Sequence, residues 1–543
     1  MKAVALGIAY LLSTVVGRIF ATDEEVTSPV LSAERVPPPS LEVHPLHVSG
    51  PPSNRVNLVF FSDGYTHAEH EKFLQDAHRL AKDLTANQTF APVLPLLNFF
   101  AAYSPSVESG IGVGGKQKNT VFGLYRDGTE LRAVWVGKRA VAKAACDSLG
   151  RRCDYPILLG NDPLYGGLGG EFSITTSSIL NGPLVLRHEL GHSIIDVGEE
   201  YDGGYAYFGA NSSPNTTLSH IKWAHWLTNS STSSNEPSQS KSEQAAPLIP
   251  QRATMLHQSY PWTLLNHSTS PYTIYFNSSG AYDSALVRTS LSGLPDSSHL
   301  TILLDGADLK WAPKEGLGLD RWHYDIKVQS GKLAEGKHTL EFVLGKDAKV
   351  GLAQLCSAEV LEYGSAPDEF DDRPGVISLF PTFSDTFRPE LASDDFPPAA
   401  PISYRPTNEA CLMRLVTFPN FCSPCLESLW LHLLEHVDLI EHLAIEVVDV
   451  DGEGAEVGNS VKKKRVEVAL RLLPFGADRA LLMAYSESYE ITWKKHGVVL
   501  GQYTNLTSIS FDIERSLVDV EVRLRTADVR LDPEGLLTSR RTF

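Results

Sequence analysis

The strongest constraint on the fold is an alternation near the start of the chain. "NRVNLVFFSDGYT" (54–66) reads as a buried strand ending in a turn. It runs straight into "AEHEKFLQDAHRLAKDLT" (68–85), where Phe73, Ala77, Leu80 and Leu84 recur at helical spacing. "LNFFAAYSP" (97–105) and "YPILLGN" (155–161) are further strands. Strands alternating with helices predict an α/β domain with a mostly parallel sheet. The pattern changes later. Residues 270–365 hold short alternating runs ("YTIYFNSSG", "HLTILLDG", "HTLEFVLG") separated by turns, the signature of a β-sandwich. Helix returns at 422–443 and the last hundred residues read as all-β. At 543 residues, two to four domains are expected. The divisions drawn are a signal peptide at 1–21, a leader or loosely packed arm at 22–50 and a catalytic first part at 51–265. An inserted sandwich (266–365), a connector returning to the catalytic part (366–445) and a C-terminal β domain (446–543) follow. A Ser-rich stretch from about 221 to 260 reads as a surface loop.

A net charge of −18 argues against nucleic acid or an anionic membrane as partner. "KKKR" (462–465) is then a solvated strand end or hairpin. The N-terminus "MKAVALGIAYLLSTVVGRIFATDEE" is a secretory signal with cleavage after Ala21. The rival is a membrane anchor, but Arg18 interrupts the apolar run short of the ~20 residues a span requires. Secretion gives meaning to glycosylation sequons at Asn87, Asn211, Asn215, Asn229, Asn266, Asn277 and Asn505. It also predicts disulfides. Cys146 and Cys153 can close a small loop, and Cys356, Cys411, Cys422 and Cys425 are expected to form two more bridges of open pairing. Zinc at "CSPC" (422–425) is the rival there.

The chemistry concentrates in "RHELGHSIIDVGEEYDGG" (187–204). On a helix, Leu186, Leu190 and Val197 line one stripe, and His188 and His192 lie one turn apart on another, both able to reach one zinc ion. Glu189 stands beside the first histidine, where it can take a proton from metal-activated water. A third ligand is needed. Glu199 lies seven residues beyond His192, about 10 Å further along a continuous helix, so the chain must turn. Gly198 is the expected break, after which Glu199 or Glu200 swings back. Asp196 is too close unless the helix ends earlier. The competing reading is a solvated helix face with two accidental histidines.

This segment resembles the signature of the IgA-peptidase family of secreted zinc metalloproteases: HE-x-GHS, then an acidic-Glu-Tyr triplet matched by Glu199, Glu200 and Tyr201. "NTVFG" (119–123), "LYGGLGG" (164–170) and "YRPTNEACLMR" (404–414) resemble other family segments, so the likeness spans about 54–225 and 400–443. It implies a metzincin-like α/β zinc-protease domain with an active-site helix, in which the β-sandwich is an insertion between the matched segments and the C-terminal all-β domain follows. Met413 would then be the methionine that supports the histidines from below. Family members generally carry Asp where this chain has Glu199, and Ile195 stands where a helix-breaking glycine is usual. Glu199 is favoured over Glu200.

The expected function is a secreted, N-glycosylated, zinc-dependent endopeptidase with one catalytic Zn2+ and Glu189 as general base, acting on protein or peptide. No nucleic acid and no transmembrane anchor are expected, and the β domains are open to cell-wall or glycan contact. Tyr201 is a donor to the developing oxyanion or a structural hydroxyl. Gly166, Gly167, Gly169 and Gly170 belong to an edge strand that could receive an extended substrate, or to a plain loop. The alternative is a catalytically silent binding or adhesion protein, which should have lost Glu189 or a ligand. "DVDGEG" (449–454) lacks full calcium-loop spacing and reads as a β-turn. No cysteine precedes Cys146, so the leader holds none for latency. Cleavage of immunoglobulin does not follow from the resemblance.

Overall fold

The computed structural model describes residues 36–86, 89–204, 206–228, 254–364, 375–383, 402–451, 462–475, 487–512 and 517–543. The signal peptide, residues 22–35 of the arm, the sequons at Asn87 and Asn229, most of the Ser-rich stretch, parts of the 366–402 connector and the end of "DVDGEG" lie outside these residues. The chain is mostly β, with several sheets and few helices.

The N-terminal part is built on a six-stranded sheet. Its elements in chain order are β1 (Glu42–Val48), β2 (Val56–Asp63), α1 (His70–Thr85), β3 (Leu97–Tyr103), the short pair β4 (Leu124–Tyr125) and β5 (Trp135–Val136), α2 (Arg139–Ser148), β6 (Tyr155–Gly160), β7 (Gly167–Leu168), β8 (Ser173–Thr176) and α3 (Asn181–Ile194). The strand order is β1-β3-β2-β6-β8-β7, with β4 and β5 pairing separately. Neighbours from β3 to β8 run parallel, while β1 and β7 are antiparallel edges.

All eight residues of β2 are buried because helices cover both faces. Leu58 and Phe60 pack with Phe73 and Leu80 of α1 and with Leu186 and Leu190 of α3. Val59 and Phe61 point the other way, to Ala142 and Ala145 of α2. The arm expected to be loose is not so at 42–48: β1 pairs with β3 from Glu42↔Tyr103 to Val48↔Asn98.

Asp63, at the end of β2, shows what "NTVFG" does. Its carboxylate accepts hydrogen bonds from Phe122 N (2.6 Å), Leu124 N (2.8 Å) and Thr120 Oγ1 (2.9 Å). Burial nonetheless pushes this carboxyl above its ordinary range, against those donors.

A five-stranded and a four-stranded sheet, both antiparallel, share a second core between Thr254 and Tyr363. The first of these strands, Thr254–Ser259, begins inside the stretch expected to be a surface loop. The C-terminal strands form two more sheets, with "KKKR" at the start of Lys462–Leu472, opposite Asp449 and Asp451. Their core residues, including Val468, Trp493 and Val522, join the first core through Trp430 and Leu433 of α4 (Ser423–Leu434). No helix among the described residues is long and apolar enough to cross a membrane.

Two expectations fail here. Cys146 and Cys153 are bridged, but Cys356, Cys411, Cys422 and Cys425 are all free thiols. Cys356 is buried on the strand Gln354–Tyr363, beside Ser292 and Gln354 and away from the other three, so two further bridges cannot form. Asn211 is 1% exposed, and its amide donates to Gly198 O and Glu200 Oε1 (both 2.9 Å). A glycan on that nitrogen would have no room and would break both bonds.

Candidate metal centre

Helix α3 carries the two histidines, and it ends earlier than expected. Ile194 is its last residue, and Ile195 is extended (φ −117°, ψ 150°). Val197 therefore lies beyond the helix, in a bridge to Gly209, and does not extend the Leu186–Leu190 stripe. Gly198 is not the breaking point. It sits where the returning chain crosses, and a Cβ there would meet Ala206 O at 2.4 Å and Phe208 N at 2.6 Å. Despite the early end, Asp196 faces solvent and only its carbonyl is used, by Ala210 N at 2.8 Å.

The chain reverses after Glu200, and the segment before the turn pairs with the segment after it. Gly198 N donates to Phe208 O (3.0 Å) and Glu199 N to Ala206 O (2.9 Å). Successive side chains of an extended segment point to opposite sides. Glu199 accordingly turns toward α3, and Glu200 turns away, to Asn211 Nδ2 and the sulfur of Cys425.

Three donor atoms converge. His188 Nε2 and His192 Nε2 are 3.3 Å apart; Glu199 Oε1 is 3.1 Å from His192 Nε2, and Oε2 is 3.3 Å from His188 Nε2. Donors held at 2.0–2.1 Å around a tetrahedral ion would be about 3.3 Å apart. The protonation pattern agrees. His188 Nδ1 faces Leu412 O and His192 Nδ1 faces Val197 O, both at 3.2 Å. A carbonyl only accepts, so each Nδ1 carries the proton and each Nε2 presents a lone pair. With both rings neutral, two lone pairs and a carboxylate face one point, which a cation there would satisfy. Glu199 Oε2 is buried and completes no hydrogen bond. The residues fit a divalent metal.

The Glu199 carboxylate is strongly coupled to both rings, as its closeness to them requires. Burial alone would lower the His188 pKa, but the Glu199 carboxylate outweighs it and pushes the imidazole up to about 9. His192 moves up for the same reason. Burial likewise opposes ionisation of Glu199, yet the two imidazoles hold it well below the usual carboxylate range.

Glu189 is half-buried next to the first histidine and accepts a hydrogen bond from the Gly169 backbone. Burial raises its pKa, partly offset by His188 and His192. Tyr201 is 36% exposed, and its phenol lies within electrostatic range of Glu199 and Glu189.

The glycines before α3 have a packing reason. A Cβ on Gly167 would meet Val185 Cγ1 at 2.2 Å, and one on Gly169 would meet Glu189 Oε2 and His192 Cβ at 2.9 Å. Gly166 is crowded by Arg126 and Val134, while Gly170 (φ +120°) has open space around it. β7 is a sheet edge, but part of that edge is already taken: Gly167 O accepts from Val134 N at 3.3 Å. Beyond it, Gly169 N donates to Glu189 and Gly170 N to Ser193 Oγ (3.3 Å), so at Gly169 and Gly170 only the carbonyls are left for an added strand.

Met413 is fully buried beneath α3, with its sulfur 3.0 Å from where a Cβ on Gly191 would lie. Its carbonyl accepts from Glu200 N (3.1 Å), and the preceding carbonyl, Leu412 O, faces His188. The segment 411–414 therefore touches both ligand-bearing elements.

Sequence reasoning missed several positioning residues. Asp202 and Arg414, both buried, pair at 2.6 Å, and Arg414 also reaches Glu200 O at 3.3 Å. Asn211 ties down Gly198, donating to its carbonyl and accepting from its amide. Asp320, from the sandwich, accepts from Ser178 Oγ (2.7 Å) and Asn181 Nδ2 (2.8 Å) at the start of α3. Asp202 and Arg414 lie within quoted motifs, but nothing local announces that they meet.

No curated protein matches the chain. Among solved structures, a family 35 carbohydrate binding module from an environmental isolate aligns with 21% of this chain and 93% of its own, at 13% identity and TM-score 0.14. CBM35 from Paenibacillus barcinonensis aligns with 20% and 91%, at 15% identity and TM-score 0.13. An exo-beta-1,3-galactanase from Phanerochaete chrysosporium aligns with 20% and 29%, at 19% identity and TM-score 0.13. Scores this low carry no argument about fold or ligand. The family comparison is different in kind, because residues 44–261 match the model of IgA Peptidase M64, a stretch that contains α3, both histidines, Glu189 and Glu199. Over that segment, which is less than half of the chain, the protein is similar to the IgA-peptidase family.

Proposed function

We propose that this protein is a secreted zinc-dependent endopeptidase with a metzincin-like catalytic core. The observation that carries the reading is the convergence of His188 Nε2, His192 Nε2 and the Glu199 carboxylate, with Glu189 at their side. Two imidazoles and one carboxylate suit zinc, with a fourth position left for water or substrate. Zinc bound there would lower the pKa of a water molecule and polarise the scissile carbonyl.

The chain's own groups supply the rest. Leu412 O and Val197 O fix the tautomer of the two histidines and hold the rings in place. Glu189 takes the proton of the attacking water on its carboxylate and passes it to the leaving amine nitrogen. Tyr201 donates its phenolic hydrogen to the substrate oxygen as charge develops there. The carbonyls of Gly169 and Gly170 offer acceptors to an extended peptide. Met413 holds the floor under α3. The signal sequence and the Cys146–Cys153 bridge support an extracellular location, with glycosylation at the exposed sequons Asn277 and Asn505. The silent-binding alternative gains nothing from a site that retains the base and all three donors.

The test is Glu189→Gln. Zinc content should stay at the wild-type level while casein cleavage is lost, and a chelator should abolish cleavage by the wild type. Full activity in the variant would remove Glu189 as base.

A further inference from the structure

Below the histidine site lies a second group that the proposed mechanism does not use. Cys411 comes from the segment leading to Met413, Cys422 caps α4 and Cys425 sits in its first turn. Glu200 comes from the loop that delivers Glu199. Cys422 is 4% exposed and the other three 0%. One donor atom from each lies within 4.8 Å of all the others.

The separations distinguish between readings of this cluster. Cys422 Sγ and Cys425 Sγ are 3.5 Å apart, Cys411 Sγ and Cys425 Sγ 4.0 Å, and Cys425 Sγ is 3.7 Å from Glu200 Oε1. Sulfurs held at about 2.3 Å from a tetrahedral zinc stand about 3.8 Å apart, and a carboxylate oxygen in the same shell about 3.5 Å from each. The observed distances bracket those edges. Disulfide formation explains the cluster poorly: Cys146 and Cys153 are joined in the same structure and none of these three is. Three is also an odd number, so any bridge would strand one buried thiol beside a carboxylate. Glu200 supplies an independent observation. Its Oε2 is buried and has no hydrogen-bond partner, a costly state that a cation at the centre would relieve.

We propose that Glu200, Cys411, Cys422 and Cys425 form a second zinc site, structural and separate from the His188–His192–Glu199 group. Four protein ligands leave no open position, as in sites that hold a fold together. The ion would tie the Glu199 loop, the Met413 segment and α4 to one point. On binding, the three thiols release their protons to solvent and the zinc charge is set against three thiolates and one carboxylate. This site stands or falls independently of the peptidase reading.

The experiment is zinc analysis and zinc-edge X-ray absorption on the purified full chain. Wild type should hold two zinc ions, and Cys425→Ser and His192→Ala one each. Zinc in His192→Ala should show sulfur neighbours at about 2.3 Å. If Cys425→Ser does not fold, the His192→Ala spectrum decides alone. Unchanged zinc content in folded Cys425→Ser, a spectrum without sulfur, or a native bridge among the three cysteines by peptide mapping would overturn the proposal. One sulfur-bound zinc in the wild type would uphold it and remove the peptidase reading. One zinc bound by nitrogen and oxygen alone would do the reverse.

Discussion

Replacing Gly191 with alanine puts a methyl group between the two histidines, where α3 passes over Met413. The new carbon would lie 3.0 Å from Met413 Sδ and 3.2 Å from Cε1 and Cζ of Phe421. Two effects oppose each other. Alanine in place of glycine favours the helix by about 0.8–1.0 kcal/mol, while overpacking a full core costs about 1–3 kcal/mol. The thioether can rotate aside, but the Phe421 ring is held edge-on against Phe90, with centroids 6.0 Å apart. The expected net effect is destabilisation by about 1 kcal/mol. The helix must also lift by a few tenths of an ångström at a point flanked by both ligands, so zinc affinity should fall by about tenfold, as for lost outer-shell support. The assay is a double-mutant cycle with Met413→Ala, read from urea unfolding of metal-loaded protein. Met413→Ala alone should cost about 2–5 kcal/mol, because the side chain is fully buried. In the double variant the methyl gains room, so the two losses should sum to less than their parts by about 1 kcal/mol. Additivity within about 0.5 kcal/mol would show that residue 191 does not press on Met413, and would refute the argument.

Glu199→Ala should lower zinc affinity at the histidine site by more than about tenfold; competition with a chromophoric chelator reads this, and an unchanged affinity would remove Glu199 from the ligand set. Asp63→Ala strands two backbone N–H groups and one hydroxyl, each worth about 1–3 kcal/mol when buried. Its urea midpoint should fall by the equivalent of about 3 kcal/mol or more, and a loss below about 1 kcal/mol would contradict that count. Glu69 tests pH dependence. Burial opposes its ionisation, but hydrogen bonds from Thr66 N, Ser109 Oγ, Thr66 Oγ1 and Asn161 Nδ2 outweigh it and hold the pKa at about 2, below the ordinary 4.5. A depressed carboxyl stabilises the fold above its unfolded pKa and loses that contribution as pH falls through the folded one. Wild type should therefore exceed Glu69→Gln by about 1 kcal/mol near neutral pH, a value kept small because the group is largely solvated. The gap should close between pH 4.5 and 2; one constant with pH would assign the stability to something other than the charge.

What could be read from the residues follows from what is local. The β2 strand is legible because a run buried on both faces must be apolar throughout, and α1 because one apolar face repeats each turn. β1 was missed for the complementary reason: "EVHPLHV" has no apolar run, and it becomes a strand by pairing with β3 at the sheet edge. The sequon at Asn211 names a tripeptide and says nothing about burial, which the returning chain imposes. Cysteine number suggested bridges. The fold instead separates Cys356 from the other three and gathers those around Glu200.

The sequence by itself determined the helix with His188 and His192 one turn apart and Glu189 beside them, since an i, i+4 relation is carried within a single helix. Only the tertiary structure decided which of two adjacent glutamates meets the histidines and which turns to the sulfurs. That choice rests on one peptide unit of rotation in an extended segment, fixed by pairing with 206–208, by Asn211 and by Met413 O. Those contacts are made across the fold, and no short window of sequence contains them.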